Sequence, residues 1–261
     1  MNKSIFDLSG KVALVTAGGG GLGQVFCEAM AEFGANVACA DINKNGAQET
    51  VELIKKFGNQ AIAIEADISQ QEHIEHMVTQ TISEMGSIDI LFCNAGIPNS
   101  PVRLHEVTIE DWDKVMALNI RGTFLSMRAV LPHMLKQQKG SIIITGSASG
   151  LRASPPAHGY KNAAPYGTSK AALIGLTKWA SVEYAQDGIR INLIAPGPHT
   201  NKSKRTDLRD YSDVEKNMSK YIAIGRPGDP SELKGLVVYL ASDASSYVTG
   251  QVIAHTGGPV G

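Results

Sequence analysis

The chain reads as an α/β protein built on a doubly wound, seven-stranded parallel sheet with helices on both faces, a single domain spanning 1–261. Three observations predict this. Short β-branched or apolar runs alternate with longer amphipathic stretches from end to end. The short runs are continuously apolar rather than alternating, so both sheet faces are covered, as in a parallel sheet between helical layers. No Pro/Ser-rich linker divides the 261 residues, a length that suits one large domain. Repeated strand–helix order with right-handed crossovers then leads to double winding.

Val12–Thr16 is the first buried strand, followed by glycines and a helix to about residue 33. Residues 36–40 form the second strand, which ends at Asp41, and a helix over about 45–57 precedes the strand at 61–65. A helix over about 70–85 leads to the strand at 90–93, and 109–135 reads as one or two long helices. The fifth strand is 141–145, and an alanine-rich helix headed by Pro165 and Tyr166 runs to about 185. Residues 190–194 and 251–254 complete the seven. Ligands of such sheets bind beyond the carboxyl ends of the strands. Thr16, Asp41, Asp67, Asn94, Ser147 and Pro196 all fall at or just past such ends, so one rim collects the polar chemistry.

With 43% hydrophobic and 19% charged residues the composition is that of an ordinary soluble globular protein. A net charge of −1 supplies no global field for nucleic acid or an anionic membrane. No apolar run approaches the roughly 20 residues that span a bilayer, and residues 1–7 lack the features of a signal peptide. Cys27, Cys39 and Cys93 are dispersed without CxxC spacing, which argues against a metal site or a disulfide framework and for a reducing, cytoplasmic compartment.

Thr16-Ala17-Gly18-Gly19-Gly20-Gly21-Leu22-Gly23 joins the first strand to the first helix. Glycines let the backbone approach a pyrophosphate, and a helix N-terminus offers N–H groups and a positive dipole end. The strand–turn–helix context and an acid at Asp41, 18 residues beyond Gly23, point to a dinucleotide rather than a plain loop. A carboxylate there accepts hydrogen bonds from a ribose 2′-hydroxyl and repels a 2′-phosphate, so NAD is expected over NADP, with Lys44 near enough to soften the discrimination. Asp41 also suits an N-cap of the following helix. Tyr166 and Lys170 stand four residues apart, about one helical turn, which places phenol and ammonium on one face. A neighbouring cation favours phenolate, and moving a Tyr pKa from about 10 towards about 7 needs roughly 4 kcal/mol. On spacing alone, a helix-capping Tyr beside a solvated Lys is the favoured reading, and the rest of the chain reverses it.

With the glycine turn, Asn94-Ala95-Gly96, Ser147 and the Tyr166/Lys170 pair in this order, the chain resembles the short-chain dehydrogenase/reductase (SDR) family over nearly its whole length. The resemblance implies a Rossmann fold, a nicotinamide cofactor, and interconversion of a secondary alcohol and a carbonyl. Carried over by position, Tyr166 is the acid/base, Lys170 lowers its pKa and holds the nicotinamide ribose, and Ser147 orients the reacting oxygen. Asn119 anchors a water relaying protons to Lys170, or else satisfies backbone groups at a helix break. The cofactor set is Thr16, Gly18, Gly21, Leu22, Gly23, Asp41, Ile42, Asp67, Ile68, Asn94, Ala95, Gly96, Tyr166, Lys170, Pro196 and Gly197. Ser149, Arg152 and His199 are candidate substrate contacts. The resemblance also suggests a homotetramer built through the helices at 109–135 and 166–185 and the last strand.

Departures from the family pattern are also present. Ala17 stands where the family has glycine, with 18–21 expected to supply the freedom; Thr256 replaces a common Asp; His199 replaces Ile or Val. An insertion at about 151–163, containing Ser154 and Tyr160, and a lid at about 198–225, with Lys202, Lys204 and Arg205, are expected at the cleft mouth. The basic residues, with Arg152, suit either an anionic substrate or a solvated loop. Two further readings stay open: an NAD(H)-sensing protein without turnover, and an epimerase or dehydratase that retains NAD.

Overall fold

In the computed structural model, which describes residues 4–153, 163–200 and 219–259, the strands are β1 Val12–Thr16, β2 Asn36–Asp41, β3 Ala61–Glu65, β4 Ile90–Cys93, β5 Gly140–Thr145, β6 Ile189–Pro196 and β7 Val252–His255. They pair in parallel in the order β3-β2-β1-β4-β5-β6-β7. Val15 of β1 is in register with Cys39 of β2 on one side and Phe92 of β4 on the other. The winding direction reverses between β1 and β4, and the crevice above that point is where ligands of such sheets lie.

The helices are α1 Gly21–Glu32, α2 Lys44–Ile54, α3 Gln71–Met85, α4 Ile109–Met116, α5 Thr123–Gln137, the short α6 Ala148–Leu151, α7 Ala164–Tyr184 and α8 Lys234–Ala241. Successive strand residues point to opposite faces. Leu14, Leu91, Ile142 and Ile144 meet α3, α5 and α7 through Ile74, Met77, Val130, Met134 and Leu173. Ala13, Val15, Phe92 and Ile143 meet α1, α2 and α8 through Phe26, Met30, Val51, Ile54 and Val237. Phe26 stacks on Phe92 with ring centroids 5.3 Å apart, a contact that ties α1 to β4 directly below the crevice.

Local chemistry sets the helix ends. The Asn43 side chain accepts from Gly46 N–H at 3.2 Å and starts α2. The Thr108 hydroxyl accepts from Asp111 N–H at 3.1 Å and starts α4. α3 stops at Gly86, whose φ of +85° turns the chain out of the helix.

The 109–135 region resolves into α4 and α5, joined by a π-helical turn at Ala117–Gly122. α8 is an element the sequence reading left out. Its string, Lys-Gly-Leu-Val-Val-Tyr-Leu-Ala, has the composition of a strand. Helical winding is imposed just before it, where the Asp229 side chain accepts from Ser231 N–H and Glu232 accepts from Asp229 N–H in a capping box over Pro230–Leu233. Burial of Val237, Val238, Leu240 and Ala241 completes the override. Ser154, Tyr160, Lys202, Lys204 and Arg205 lie outside the described residues.

Candidate active site

Beyond β1 the backbone turns into α1 through a loop stitched to its surroundings. Gly18 N–H donates to the Ala40 carbonyl at 3.0 Å, and Thr50 Oγ1 donates to the Gly18 carbonyl at 2.9 Å. The inner side has no room for side chains. A Cβ on Gly18 would stand 2.6 Å from Cys39 Sγ, one on Gly19 would stand 2.8 Å from Ala47 N, and one on Gly23 would fall on the Ala17 carbonyl. The outer side is open: a Cβ on Gly20 or Gly21 would meet nothing within 4 Å. α1 begins there with no side-chain cap and no acid in its first turn, so its positive end faces the open space. A turn closed beneath, open above and ending on a helix N-terminus fits a pyrophosphate.

The strain of the turn falls on the residue that was expected to be spared it by the glycines at 18–21. Ala17 has φ +51°, in the left-handed region that favours glycine, alongside Gly21 at +53°. The freedom expected of 18–21 is therefore needed one residue earlier as well, at the position where the chain departs from the family pattern.

Asp41 is half-buried at the end of β2. Its Oδ2 accepts from Gly19 N–H at 2.9 Å and its Oδ1 from Asn43 N–H at 2.8 Å, which binds the carboxylate to the glycine turn. Ile42 beside it is 66% exposed. Lys44 lies 3.9 Å from Glu65, which draws it to β3. Asp67 Oδ1 accepts from Ser69 N–H at 2.9 Å, and the Ile68 side chain is buried against the π turn at Gly122.

At the switch point Thr16 Oγ1 donates to the Phe92 carbonyl at 3.0 Å and accepts from Asn94 N–H at 3.0 Å and Ala95 N–H at 3.3 Å. Asn94 Nδ2 donates to the Ala17 carbonyl at 3.3 Å. Asn119, fully buried in the π turn, accepts from Ile97 N–H at 2.8 Å. Its Nδ2 donates to the Ile97 carbonyl at 3.0 Å and to Ser169 Oγ at 2.9 Å. Its side chain thus serves backbone groups at a helix break, one of the two roles open from sequence. Ser169 in turn donates to the Tyr166 carbonyl at 2.7 Å, so the 94–97 loop, the π turn and the head of α7 are locked together.

Ser147 leaves β5 in extended conformation and caps α6, its Oγ accepting from Ser149 N–H at 3.1 Å. Gly150 lets α6 lie directly on α7, since a Cβ there would stand 2.7 Å from the Lys170 carbonyl carbon. Tyr166 projects from α7 towards the Ser147 side chain, an influence that opposes the rise of its pKa. Lys170, 3% exposed, donates from Nζ to the Thr145 carbonyl at 2.8 Å, with Nζ 5.7 Å from the Tyr166 ring centroid. A Cβ on Gly96 would lie 3.1 Å from that Nζ, which brings the Asn94–Gly96 loop onto the same ammonium. Pro196 and Gly197 close the rim, with Gly197 N–H donating to the His255 carbonyl at 3.0 Å.

The electrostatics correct one expectation. The Tyr166 pKa is raised, because burial penalises phenolate more than the neighbouring Ser147 hydroxyl favours it. Burial also draws Lys170 down from 10.5 to about 8. Spacing put the ammonium near the phenol, but Lys170 is tied to a carbonyl and its charge does not overcome the cost of burying a phenolate. Burial also holds two cysteine thiols protonated, with Cys93 pushed up to about 12 and Cys27 well above its ordinary value.

Of the candidate substrate contacts, Ser149 sits beside Ser147 and Arg152 is exposed. Both ring nitrogens of His199 already have partners, Gly197 and His255, so its side chain offers no unoccupied nitrogen to a substrate. Several site residues escaped the sequence reading. Asn99 Oδ1 accepts from Tyr166 N–H at 3.2 Å, and Ser169, Gly150 and the Thr145 carbonyl hold α7 in place. Their contacts are made to main-chain atoms, which leave no mark in residue type.

A family model described as enoyl-(acyl carrier protein) reductase matches residues 17–259. A 2,5-dichloro-2,5-cyclohexadiene-1,4-diol dehydrogenase from Sphingobium indicum is 37% identical over 253 residues, covering 97% of this chain and 98% of the relative. A solved short-chain type dehydrogenase/reductase from Mycobacterium marinum superposes with a TM-score of 0.90 at 37% identity, covering 97% of both chains. An NAD+-bound xylitol dehydrogenase gives a TM-score of 0.88 at 30% identity, covering 96% of this chain and 99% of the other. The sheet order, the glycine turn and the similarity of the whole chain lead to one assignment: the protein belongs to the short-chain dehydrogenase/reductase family of oxidoreductases.

Proposed function

We propose that the protein is an NAD-dependent dehydrogenase/reductase that interconverts a secondary alcohol (a sugar, polyol, hydroxy acid or similar compound) and its ketone, with Tyr166 as acid/base. The observation that carries the reading is the placement of Tyr166 beside Ser147 and a buried Lys170, whose Nζ lies 5.7 Å from the phenol ring, on the rim that also holds the glycine turn. When bound, the nicotinamide exchanges hydride with the substrate carbon and in its oxidised form brings a positive charge. The residues that would hold it are the open face of Gly20 and Gly21, Asp41, Asn94, Gly96, Lys170, Pro196 and Gly197. Tyr166, whose raised pKa keeps the phenol protonated, donates its proton to the carbonyl oxygen during reduction. Ser147 hydrogen-bonds the same oxygen as negative charge builds there. Lys170 supplies a cation behind the phenol, favouring phenolate when the alcohol is oxidised.

Tyr166→Phe tests the mechanism. The variant should bind NADH normally and lose about a hundredfold or more in turnover; near-normal turnover refutes the role. NADH binding without turnover by the wild-type chain, across a broad panel of alcohols and ketones, would instead favour a sensor. The Asp41 carboxylate beside the glycine turn, and the NAD+ named for the xylitol dehydrogenase neighbour, support NAD over NADP. Catalytic efficiency about tenfold better with NADPH, equivalent to about 1.4 kcal/mol, would overturn that preference.

Part of the same reading is a homotetramer acting in the cytoplasm. The outer face of α7 leaves Trp179 80% and Val182 77% exposed, and Phe124 of α5 is 46% exposed, an apolar stripe that suits burial between subunits. Light scattering that returns a monomer would reject the assembly. No described helix is long and apolar enough to cross a membrane, and the three cysteines are free thiols, as a reducing compartment would leave them.

A further inference from the structure

His199 and His255 meet between the exits of β6 and β7. Their rings are nearly parallel, 19° apart with centroids at 5.3 Å, and His199 Nε2 lies 3.2 Å from His255 Nδ1. The other His199 nitrogen, Nδ1, lies 2.9 Å from the Gly197 carbonyl. A carbonyl only accepts, so His199 carries its proton on Nδ1 and, when neutral, accepts at Nε2. His255 must then donate from Nδ1. The chain of bonds runs from β7 through two imidazoles to Gly197.

We propose that His255 is a positioning residue: through its hydrogen bond to His199 it holds the 196–200 segment in the shape that receives the nicotinamide end of the cofactor. The inference rests on the reading of Pro196 and Gly197 as cofactor-flanking. The segment is otherwise fixed by main-chain contacts. Gly197 N–H donates to the His255 carbonyl at 3.0 Å, Gly228 N–H to the Pro198 carbonyl at 3.0 Å, and Thr200 N–H to the Gly228 carbonyl at 2.9 Å. Gly228 must be glycine here, because a Cβ would stand 2.7 Å from His199 Cδ2. The His199 ring is thus wedged between Gly228 and His255, and the imidazole pair is the side-chain bolt on this clamp.

The bolt tolerates one added proton and not two. A first proton on His199 Nε2 is accommodated if His255 shifts its own proton to Nε2 and accepts at Nδ1, a charge-assisted bond. A second proton leaves two N–H groups facing each other at 3.2 Å, and the bond is lost. Burial and the neighbouring His255 draw the His199 pKa below its ordinary value, against the opposing pull of the Gly197 carbonyl bond and then of Glu232 and Asp229. Glu232 is itself held by Arg226, whose two guanidinium nitrogens reach it at 2.7 and 2.8 Å. The clamp therefore stays shut through neutral pH.

A double-mutant cycle read by NADH binding, followed through nicotinamide fluorescence, tests this without knowledge of the substrate. At pH 7.5, His199→Leu and His255→Leu should each weaken NADH binding about fivefold, the ratio that ~1 kcal/mol gives. The double variant should weaken it by the same fivefold, because both substitutions break one bond. His255→Gln, which retains an amide able to donate or accept, should bind as wild type. Multiplying effects in the double variant, a Gln variant as weak as the Leu variants, or Leu variants with wild-type affinity would overturn the inference while leaving the cofactor reading standing. A wild-type chain that binds no NADH at all would sink the cofactor reading, and this inference with it.

Discussion

Lys170 is a case in which the site works against the stability of the fold. It is 3% exposed, and burial draws its pKa from 10.5 to about 8. At about 1.36 kcal/mol per pKa unit, that fall means the charged side chain costs the fold on the order of 3 kcal/mol. The folded-state pKa lies below the unfolded value, so the unfolded chain holds this proton more tightly. The cost is fully present below about pH 8 and is relieved as pH rises towards 10.5. Lys170→Met removes the charge at similar volume. It also forfeits the 2.8 Å bond to the Thr145 carbonyl, worth about 1.5 kcal/mol for a charged donor. The variant should therefore be about 2 kcal/mol more stable than wild type at pH 7 while losing turnover. Urea unfolding at pH 7 and pH 9.5 measures this. By pH 9.5 the wild type recovers about 2 kcal/mol of the burial cost, and the advantage of the variant should close. A variant less stable than wild type at pH 7, or a gap that does not narrow with pH, would refute the reasoning.

Two further substitutions test local geometry. Ala17→Gly removes a Cβ from a backbone held at φ +51°; it should stabilise the chain by about 0.5–1 kcal/mol after the larger chain entropy of glycine is counted, visible as a higher Tm. No gain would mean that Ala17 is not strained. Gly150→Ala would place a Cβ 2.7 Å from the Lys170 carbonyl carbon, pushing α6 and Ser147 away from Tyr166. It should lower kcat about tenfold or more while NADH affinity changes little; an unchanged kcat would show that Ser147 does not depend on this packing.

The strands were legible because both faces of the sheet are covered, and a doubly covered strand writes an unbroken apolar run into the sequence. Val12–Thr16 and Ile90–Cys93 are such runs and occur as read. The glycine turn was legible for a related reason: close approach of backbone to backbone leaves glycine as the residue that fits, as at Gly18 and Gly23. α8 was not legible, since Leu-Val-Val-Tyr-Leu suits a strand as well as a helix, and the Asp229–Glu232 box that decides it lies several residues upstream. The contacts of Asn99 and Gly150 escaped notice because each is made to a main-chain atom of another segment, and Ser169 because its partners are a main-chain carbonyl of its own helix and the distant Asn119.

The sign of the Tyr166 shift shows where reading by spacing stops. A four-residue interval specifies that two side chains share a helix face, and the structure places them there, with Lys170 Nζ 5.7 Å from the phenol ring. Proximity sets the size of a Coulomb term, but the desolvation opposing it is a property of everything packed around the pair: β5, the Gly96 loop and the buried Asn119. Those elements are distant in sequence, so no local motif reports their sum. In the ligand-free chain that sum favours a neutral phenol and a lysine that surrenders its proton readily. The same burial that raises the tyrosine and weakens the lysine excludes water from the place where a substrate oxygen must exchange a proton. A mechanism at this site is thus better argued from the desolvated pair as a unit than from an acidic tyrosine prepared in advance.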